Sequence, residues 1–284
     1  MSEHDRQADA ADDHGYRPRS DTLLAGMARA VLDVGALLRT WRCDARATRG
    51  VWEGSQFKAE ADARAHEALS GRLRGIAADI PVLSEEDPDS LRGDRPASYW
   101  LIDPIDGTAS YAHGYPGYVT QAALVSDGRP VLAAVYAPED DALYTAARGG
   151  GAAANGRPLP RTARIGPGAG VLTDNTPAPH GIAREVYEHF GYTAYLECGS
   201  ISLKLCRIAE GAAHLFVKDV PVRDWDVAAP ELLLGETGAY LSRLDGTRFG
   251  YSGGFEHTGL IGAADPAVGD GITDWYSTRT ATCR

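Results

Sequence analysis

The sequence predicts a mixed α/β protein of layered α+β type, and three features predict it. A stretch with helical apolar spacing comes first, strand-like runs joined by turn signals follow, and helix and strand then alternate toward the C-terminus. No internal repeat is visible. The 284 residues suffice for two domains or one large α/β domain.

Residues 1 to about 19 are polar, with Asp9, Asp12 and Asp13, and a disordered tail is expected there. From Ser20 to Arg42, Leu23, Leu24, Met27, Val31, Val34, Leu37 and Leu38 recur at helical spacing, with Ser20 or Asp21 available as a cap. A second helix is expected over Ala59–Leu73, with Gly75 at its exit. "IPVLSEED" and "YWLID" then read as short apolar strands ending in acids. "YVTQAALVSDGRPVLAAVYAP" reads as a β-hairpin turning at Asp127-Gly128, and "ALYTAARGGGAAANGRPL" as a strand with a Gly-rich turn. The run "RTARIGPGAGVL" at 161–172 marks a boundary. Beyond it "HGIAREVYEHFG" and "SLKLCRIAEG" are helical and "AHLFVK" is a strand. "DWDVAAPELLLGETGAYLS" is a helix with Asp226 as its expected N-cap, Pro230 in its first turn and Gly238 near its end.

Composition narrows the function. The net charge of −11 and the lack of a basic run argue against nucleic acid or an anionic membrane as partner. An anionic substrate would need cations to mediate its contact. No run approaches the roughly 18 to 20 apolar residues of a membrane helix and the start lacks a signal-peptide pattern, so a cytoplasmic protein is expected. Cys43, Cys198, Cys206 and Cys283 show no CxxC spacing; buried thiols plus one loose tail thiol are expected.

The chemistry lies in the acids. Glu85-Glu86-Asp87 follow "PVLS", Asp103 and Asp106 follow "YWLI", and Asp226 follows "RDW". Carboxylates at strand ends suit a hard cation such as Mg²⁺, which binds through one or two carboxylates, waters and phosphate oxygens. In "DPIDGT" the proline fixes a turn that lets both aspartates face one pocket. Gly107 lets the backbone approach a ligand, so the N–H groups of Gly107 and Thr108 can cradle a phosphate oxygen. Two cations about 3.5–4 Å apart could polarise a phosphate and make a nucleophile of water. There is no GxSxG, and the two-residue gap between Asp103 and Asp106 is not that of an aspartyl-phosphate signature.

"SEED", "DPIDGT" and "WDVAA", in that order, resemble the inositol monophosphatase superfamily of Mg²⁺-dependent, lithium-sensitive phosphatases, a likeness running from about Leu23 to Phe249. The resemblance implies a five-layer α/β/α/β/α sandwich with the site between 20–160, the metal-binding N-terminal domain, and 161–284, which completes the site. It also implies a homodimer. One Mg²⁺ would be held by Glu85, Asp103 and the carbonyl of Ile105, and a second by Asp103, Asp106 and Asp226. Thr108 with Glu85 would orient the attacking water, and Asp62 would support Thr108 and a third, weaker metal. "GSISLKLC" resembles the segment that places Gly199 and Ser200 beside the substrate, and Asp219 matches an acid facing a substrate hydroxyl. The family's D-L-V-T-x-x-D run reads "QFKAEAD" here, with Gln56 and Ala59 replacing its Asp and Thr, and "ASY" stands where "TNF" is usual.

The expected reaction is hydrolysis of a phosphate ester on a small hydroxylated metabolite. Adenosine 3',5'-bisphosphate, histidinol phosphate and a specialised aminosugar or nucleoside precursor are alternative substrates. A catalytically silent metal-binding scaffold is the alternative from a different class; the complete set Glu85, Asp103, Asp106, Thr108 and Asp226 favours the enzyme.

Overall fold

The structure, a computed structural model, describes residues 13–44, 46–53 and 56–282. From the N-terminus run α1 (Asp13–Arg42), β1 (Gly50–Glu53), β2 (Gln56–Ala59), α2 (Glu60–Ile76), β3 (Val82–Ser84), β4 (Ser98–Asp106) and α3 (Thr108–His113). They are followed by β5 (Val119–Ser126), β6 (Arg129–Ala137), β7 (Ala142–Ala147), β8 (Gly151–Ala154) and β9 (Arg157–Pro158). The remaining elements are β10 (Val171–Asp174), α4 (Gly181–Phe190), β11 (Ala194–Glu197), α5 (Ile201–Ala209), β12 (Leu215–Arg223), α6 (Asp224–Thr237), β13 (Tyr240–Ser242), β14 (Glu256–Ala263) and α7 (Pro266–Thr282).

β4 shows why the layers form. Its residues are apolar on both faces, so the strand must be covered twice. Tyr99 and Leu101 enter the core shared with α5 and α6, whereas Trp100 and Ile102 enter the core under α1 and α2. Each fully buried side chain of this kind contributes roughly 1.5–3 kcal/mol. The seven-stranded sheet has the order β3-β4-β5-β6-β7-β8-β9, antiparallel except for the parallel β3–β4 pair. At the tip of the β5–β6 hairpin Asp127 and Gly128 have φ of 50° and 70°, the conformation this tight turn requires.

The second sheet, β11-β10-β12-β14-β13, repeats the logic. Phe216 points to the core shared with α5 and α6, while Leu215 and Val217 face α4 and α7. Helix α6, buried on nearly every side, lies between the sheets and therefore needs no polar stripe. The result is the α/β/α/β/α sandwich. β1 and β2 form a separate antiparallel pair.

Several boundaries differ from expectation. α1 starts at Asp13, inside the segment expected to be a disordered tail; residues 1–12 lie outside the described residues. α2 runs past Gly75 to Ile76, and the N–H of Ala77 closes it on the Leu73 carbonyl. Asp226 is not the N-cap of α6. Arg223 is, and Asp226 sits three positions in, accepting the Arg223 N–H at 2.7 Å. Pro230 falls in the helix interior. Cys198 and Cys206 are buried free thiols, but Cys43 is exposed; Cys283 lies outside the described residues. Among the described residues no helix is long and apolar enough to cross a membrane.

Candidate active site

The end of β4 builds the centre of the site. Its pairing with β5 slips between Asp103 and Asp106, so the strand bulges over "DPID". That bulge breaks the alternation that would carry two positions three apart to opposite faces. Gly107 follows with φ of 90°, and a Cβ there would come within 3.0 Å of the Gly117 carbonyl, so only glycine fits. α3 begins immediately after it.

Three carboxylates meet at this point. Each of Asp103, Asp106 and Asp226 offers an oxygen, and all three lie within 4.8 Å of one another. Asp106 is clamped by the start of α5: its Oδ2 accepts the Ser200 hydroxyl at 2.5 Å and the Ser202 N–H at 2.7 Å, and its Oδ1 accepts the Ile201 N–H at 3.3 Å. Asp103 accepts the Ile105 N–H at 3.1 Å. Glu85, just beyond β3, joins them on the wall of a cavity of about 620 Å³. Ile105, Gly107, Thr108 and Gly199 also line that wall. Gly199 packs so tightly against Gly117 that no side chain could be accommodated.

The electrostatics explain what the cluster needs. Burial, and next the charge of Glu85, push the Asp103 carboxyl well above the usual carboxylate range. Burial, then Asp226, lift Glu85 to about 8; burial, then Asp106, lift Asp226 to about 7. Buried acids this close hold protons unless a positive charge joins them. An oxygen-only donor set of this kind fits a hard divalent cation. The residues present therefore suit a metal.

Thr108 Oγ1 lies 3.1 Å from Asp62 Oδ1 and 3.0 Å from the Ile105 carbonyl, so its hydrogen has two acceptors and its lone pairs stay available. Asp62 is buried behind Thr108, also accepts the Ala59 N–H at 2.6 Å, and is lifted to about 7 chiefly by burial. The backbone of Gln56 and Ala59 forms β2, while the Gln56 side chain is outside what is described.

Two residues expected beside the substrate, Ser200 and Asp219, do not line the cavity. Ser200 is wholly buried, caps α5 and spends its hydroxyl on Asp106, while Gly199 alone of the pair lines the cavity. Asp219 is exposed, and the lining includes its neighbours Lys218 and Val220 instead. β12 slips against β14 between Lys218 and Pro221, which re-aims this short stretch. Lys204 is buried and contributes to the cavity wall, its ammonium donating to the Gly199 and Ser200 carbonyls at 2.8 and 3.3 Å. Glu86 pairs with Lys58 at 3.2 Å.

Sequence reasoning also missed residues. Asp174 and Asn175, Lys218 and Arg223 line the same cavity. "VLTDN" carried a usable signal, since Asp174 ends an apolar strand as Asp103 and Glu85 do. Lys218 and Arg223 carried none.

A layered sandwich whose inner strand and helix ends aim a buried carboxylate cluster into one cavity defines a class of protein whose site could hold a metal ion. The family model for the inositol monophosphatase family matches residues 24–273, and the chain belongs to that family. It is a phosphatase of small phosphorylated metabolites. It is similar to the 3'(2'),5'-bisphosphate nucleotidase CysQ of Shigella flexneri, with 34% identity over 197 residues, 68% of this chain and 78% of that protein. It is similar also to an inositol-1-monophosphatase of Rhizobium meliloti, at 33% over 199 residues, covering 68% and 74%. Its fold matches an IMPase from Thermotoga maritima with a TM-score of 0.76 and 21% identity over 90% of this chain and 96% of that one.

Proposed function

We propose that the chain is a Mg²⁺-dependent phosphomonoesterase acting on a small hydroxylated metabolite, and that water is its nucleophile. The observation that carries this is the convergence of Asp103, Asp106 and Asp226 within 4.8 Å, beside Glu85 and Thr108 on one cavity. Glu85, Asp103 and the Ile105 carbonyl would hold one ion, and Asp103, Asp106 and Asp226 a second. Asp62 stands near enough to Thr108 to serve a third. Bound there, Mg²⁺ supplies Lewis acidity toward the phosphoryl oxygens and acidifies water.

The chain's own groups do the rest. Thr108, its hydrogen directed to Asp62 or the Ile105 carbonyl, accepts a hydrogen bond from the water, and Glu85 accepts the other. That aims the water oxygen at phosphorus. The N–H groups of Gly107 and Thr108 bind a phosphate oxygen. A P–O bond forms to water as the ester P–O bond breaks, and the proton lost by water is balanced by the one gained by the departing alcohol. The division into 20–160, carrying most of the acids, and 161–284, contributing Asp226 and the opposite wall, follows from this reading. A homodimer and lithium inhibition are proposed from the family resemblance, and a cytoplasmic location from the sequence pattern.

A second reading is a bisphosphorylated nucleoside as substrate. Lys218 favours it, because it lines the cavity, as Arg223 does, and its ammonium makes no hydrogen bond or ion pair with the described residues. An unpaired ammonium there suits a second anionic group. The likeness to the bisphosphate nucleotidase of Shigella flexneri points the same way.

The test is phosphate release with Mg²⁺ and with EDTA from inositol 1-phosphate, adenosine 3',5'-bisphosphate, adenosine 5'-monophosphate, histidinol phosphate and several sugar phosphates. Metal-dependent turnover of one far above the others names the substrate. Absence of turnover on every one, with metal bound, would return the silent-scaffold reading.

A further inference from the structure

Beneath the acidic cluster lies a second charged group that the reaction above leaves unused. Arg95 stands in the loop before β4, Asp224 is the first residue of α6 and His257 belongs to β14. Asp224 is fully buried, and the Arg95 side chain is 7% exposed. Arg95 Nη1 lies in ion contact 2.5 Å from Asp224 Oδ2, and His257 Nε2 lies 2.5 Å from Oδ1, so the two carboxylate oxygens are approached from different elements. The guanidinium lies 3.8 Å above the Phe255 ring, and the Phe255 carbonyl accepts the Asp224 N–H at 2.9 Å. Arg95 Nη1 also donates to the Tyr99 hydroxyl at 3.0 Å, and that hydroxyl donates to the Tyr251 carbonyl at 2.9 Å.

Stability alone explains this group poorly. Among the described residues Arg95 Nε and Nη2 and Asp224 Oδ2 have no hydrogen-bond partner, so the Arg95–Asp224 contact is an ion contact rather than an aligned hydrogen bond, and burying an ion pair so incompletely satisfied is often no better than burying apolar residues of the same size. Its position is more telling. Asp224 precedes Asp226 by two residues, and Tyr99 precedes Asp103 by four on the same face of β4. Arg95 therefore ties the first turn of α6 to β4, the two elements whose carboxylates must sit side by side although their charges repel.

We propose that Arg95 is a positioning residue: by holding Asp224 against Tyr99 and Phe255 it sets where α6 begins, and so keeps Asp226 beside Asp103 in the arrangement that binds the cation. This rests on the metal reading given above. His257 is the second arm of the same clamp.

The measurement is Mn²⁺ affinity, read from the paramagnetic resonance signal of free Mn²⁺, on the intact protein and on Arg95→Met and Asp224→Asn, with thermal melting alongside. Removing a partner that orients a metal ligand typically weakens metal binding about 10–100-fold, and a loss in that range is expected in folded Arg95→Met. Turnover should fall with little change in KM for the organic phosphate. The double variant should lose no more than the worse single one, because the two residues act as a unit. Mn²⁺ affinity within about twofold of the parent, in a variant that merely melts lower, would overturn the proposal. Should Arg95→Met not fold, Arg95→Lys decides. A lysine keeps the charge but cannot serve Asp224 and Tyr99 while lying flat on Phe255, so weakened affinity supports the role and parent-like affinity overturns it. The parent titration separates the two readings: no Mn²⁺ binding there sinks the metal assignment itself, whereas normal parent binding with unaffected variants sinks only the role of Arg95.

Discussion

The Ser202 hydroxyl donates to the backbone carbonyl of Asp226 at 2.7 Å, and Pro230 is the reason it must. A proline at that helix position has no N–H for the carbonyl four residues earlier. Ser202, on α5, supplies the missing donor. Gln121 on β5 completes the joint, donating to Ser202 Oγ at 2.6 Å and to the Trp225 carbonyl at 2.8 Å. An apparent defect in α6 thus ties three elements together around one acidic residue.

Ser202→Ala should leave the buried Asp226 carbonyl without its donor and destabilise the fold by about 1–3 kcal/mol. In a Pro230→Ala background the helix can supply its own N–H, so the same substitution should have a smaller effect. Urea unfolding of the four proteins in this cycle checks it, and equal losses in both backgrounds would refute the link.

Asp103→Asn should abolish turnover while the protein stays folded. Loss of an outer partner of a metal ligand already lowers activity about 10–100-fold, so loss of a ligand shared by two ions should exceed roughly 100-fold. Steady-state phosphate release at saturating Mg²⁺ is the readout, and substantial residual activity would count against the two-ion arrangement.

Thr108→Val keeps the shape and removes the hydroxyl, and kcat should fall by about 10–100-fold with KM little changed, by analogy with other orienting partners. Thr108→Ser should recover most of it. Asp62→Asn should do less harm than Thr108→Val, since the Ile105 carbonyl at 3.0 Å still accepts the threonine's hydrogen.

Lys218→Ala separates the two substrate readings. If a second anionic group binds there, KM for adenosine 3',5'-bisphosphate should rise by about tenfold or more, the scale of one charged hydrogen bond. KM for inositol 1-phosphate should stay within about twofold. A parallel change for both substrates would assign Lys218 to the general field of the pocket.

Glu231 makes stability depend on pH. Burial lifts its carboxyl from 4.5 to about 7, against the lowering effect of the Tyr251 hydroxyl that donates to it. Because the folded state holds this proton more tightly than the unfolded one, the contribution is fully present below about 4.5 and is lost as pH rises through 7. Glu231→Gln, still able to accept from Tyr251, should flatten that dependence and gain up to about 2–3 kcal/mol above neutrality. Melting temperatures of both proteins between pH 5 and 8 decide the matter.

What could be read from the chain alone was local chemistry and local pattern. "DPIDGT" advertised its turn and its acids, "SEED" and "WDVAA" ended or began regular elements, and the mixed order of helices and strands indicated α+β layers. These signals survive in one dimension because proline, glycine and strand alternation constrain neighbouring residues. The start of α1 at Asp13 escaped that reading, since its polar first turns carry no apolar stripe. The tertiary structure alone decided what meets across the fold. It placed Lys218 on the cavity and left Asp219 outside, because a bulge in β12 re-aims side chains by its pairing with β14. It turned Asp226 inward three positions past the helix start, joined Ser202 to a carbonyl 24 residues away, and set Arg95 against Asp224. Such contacts form only when separate layers close on one another, and no neighbour in sequence records them.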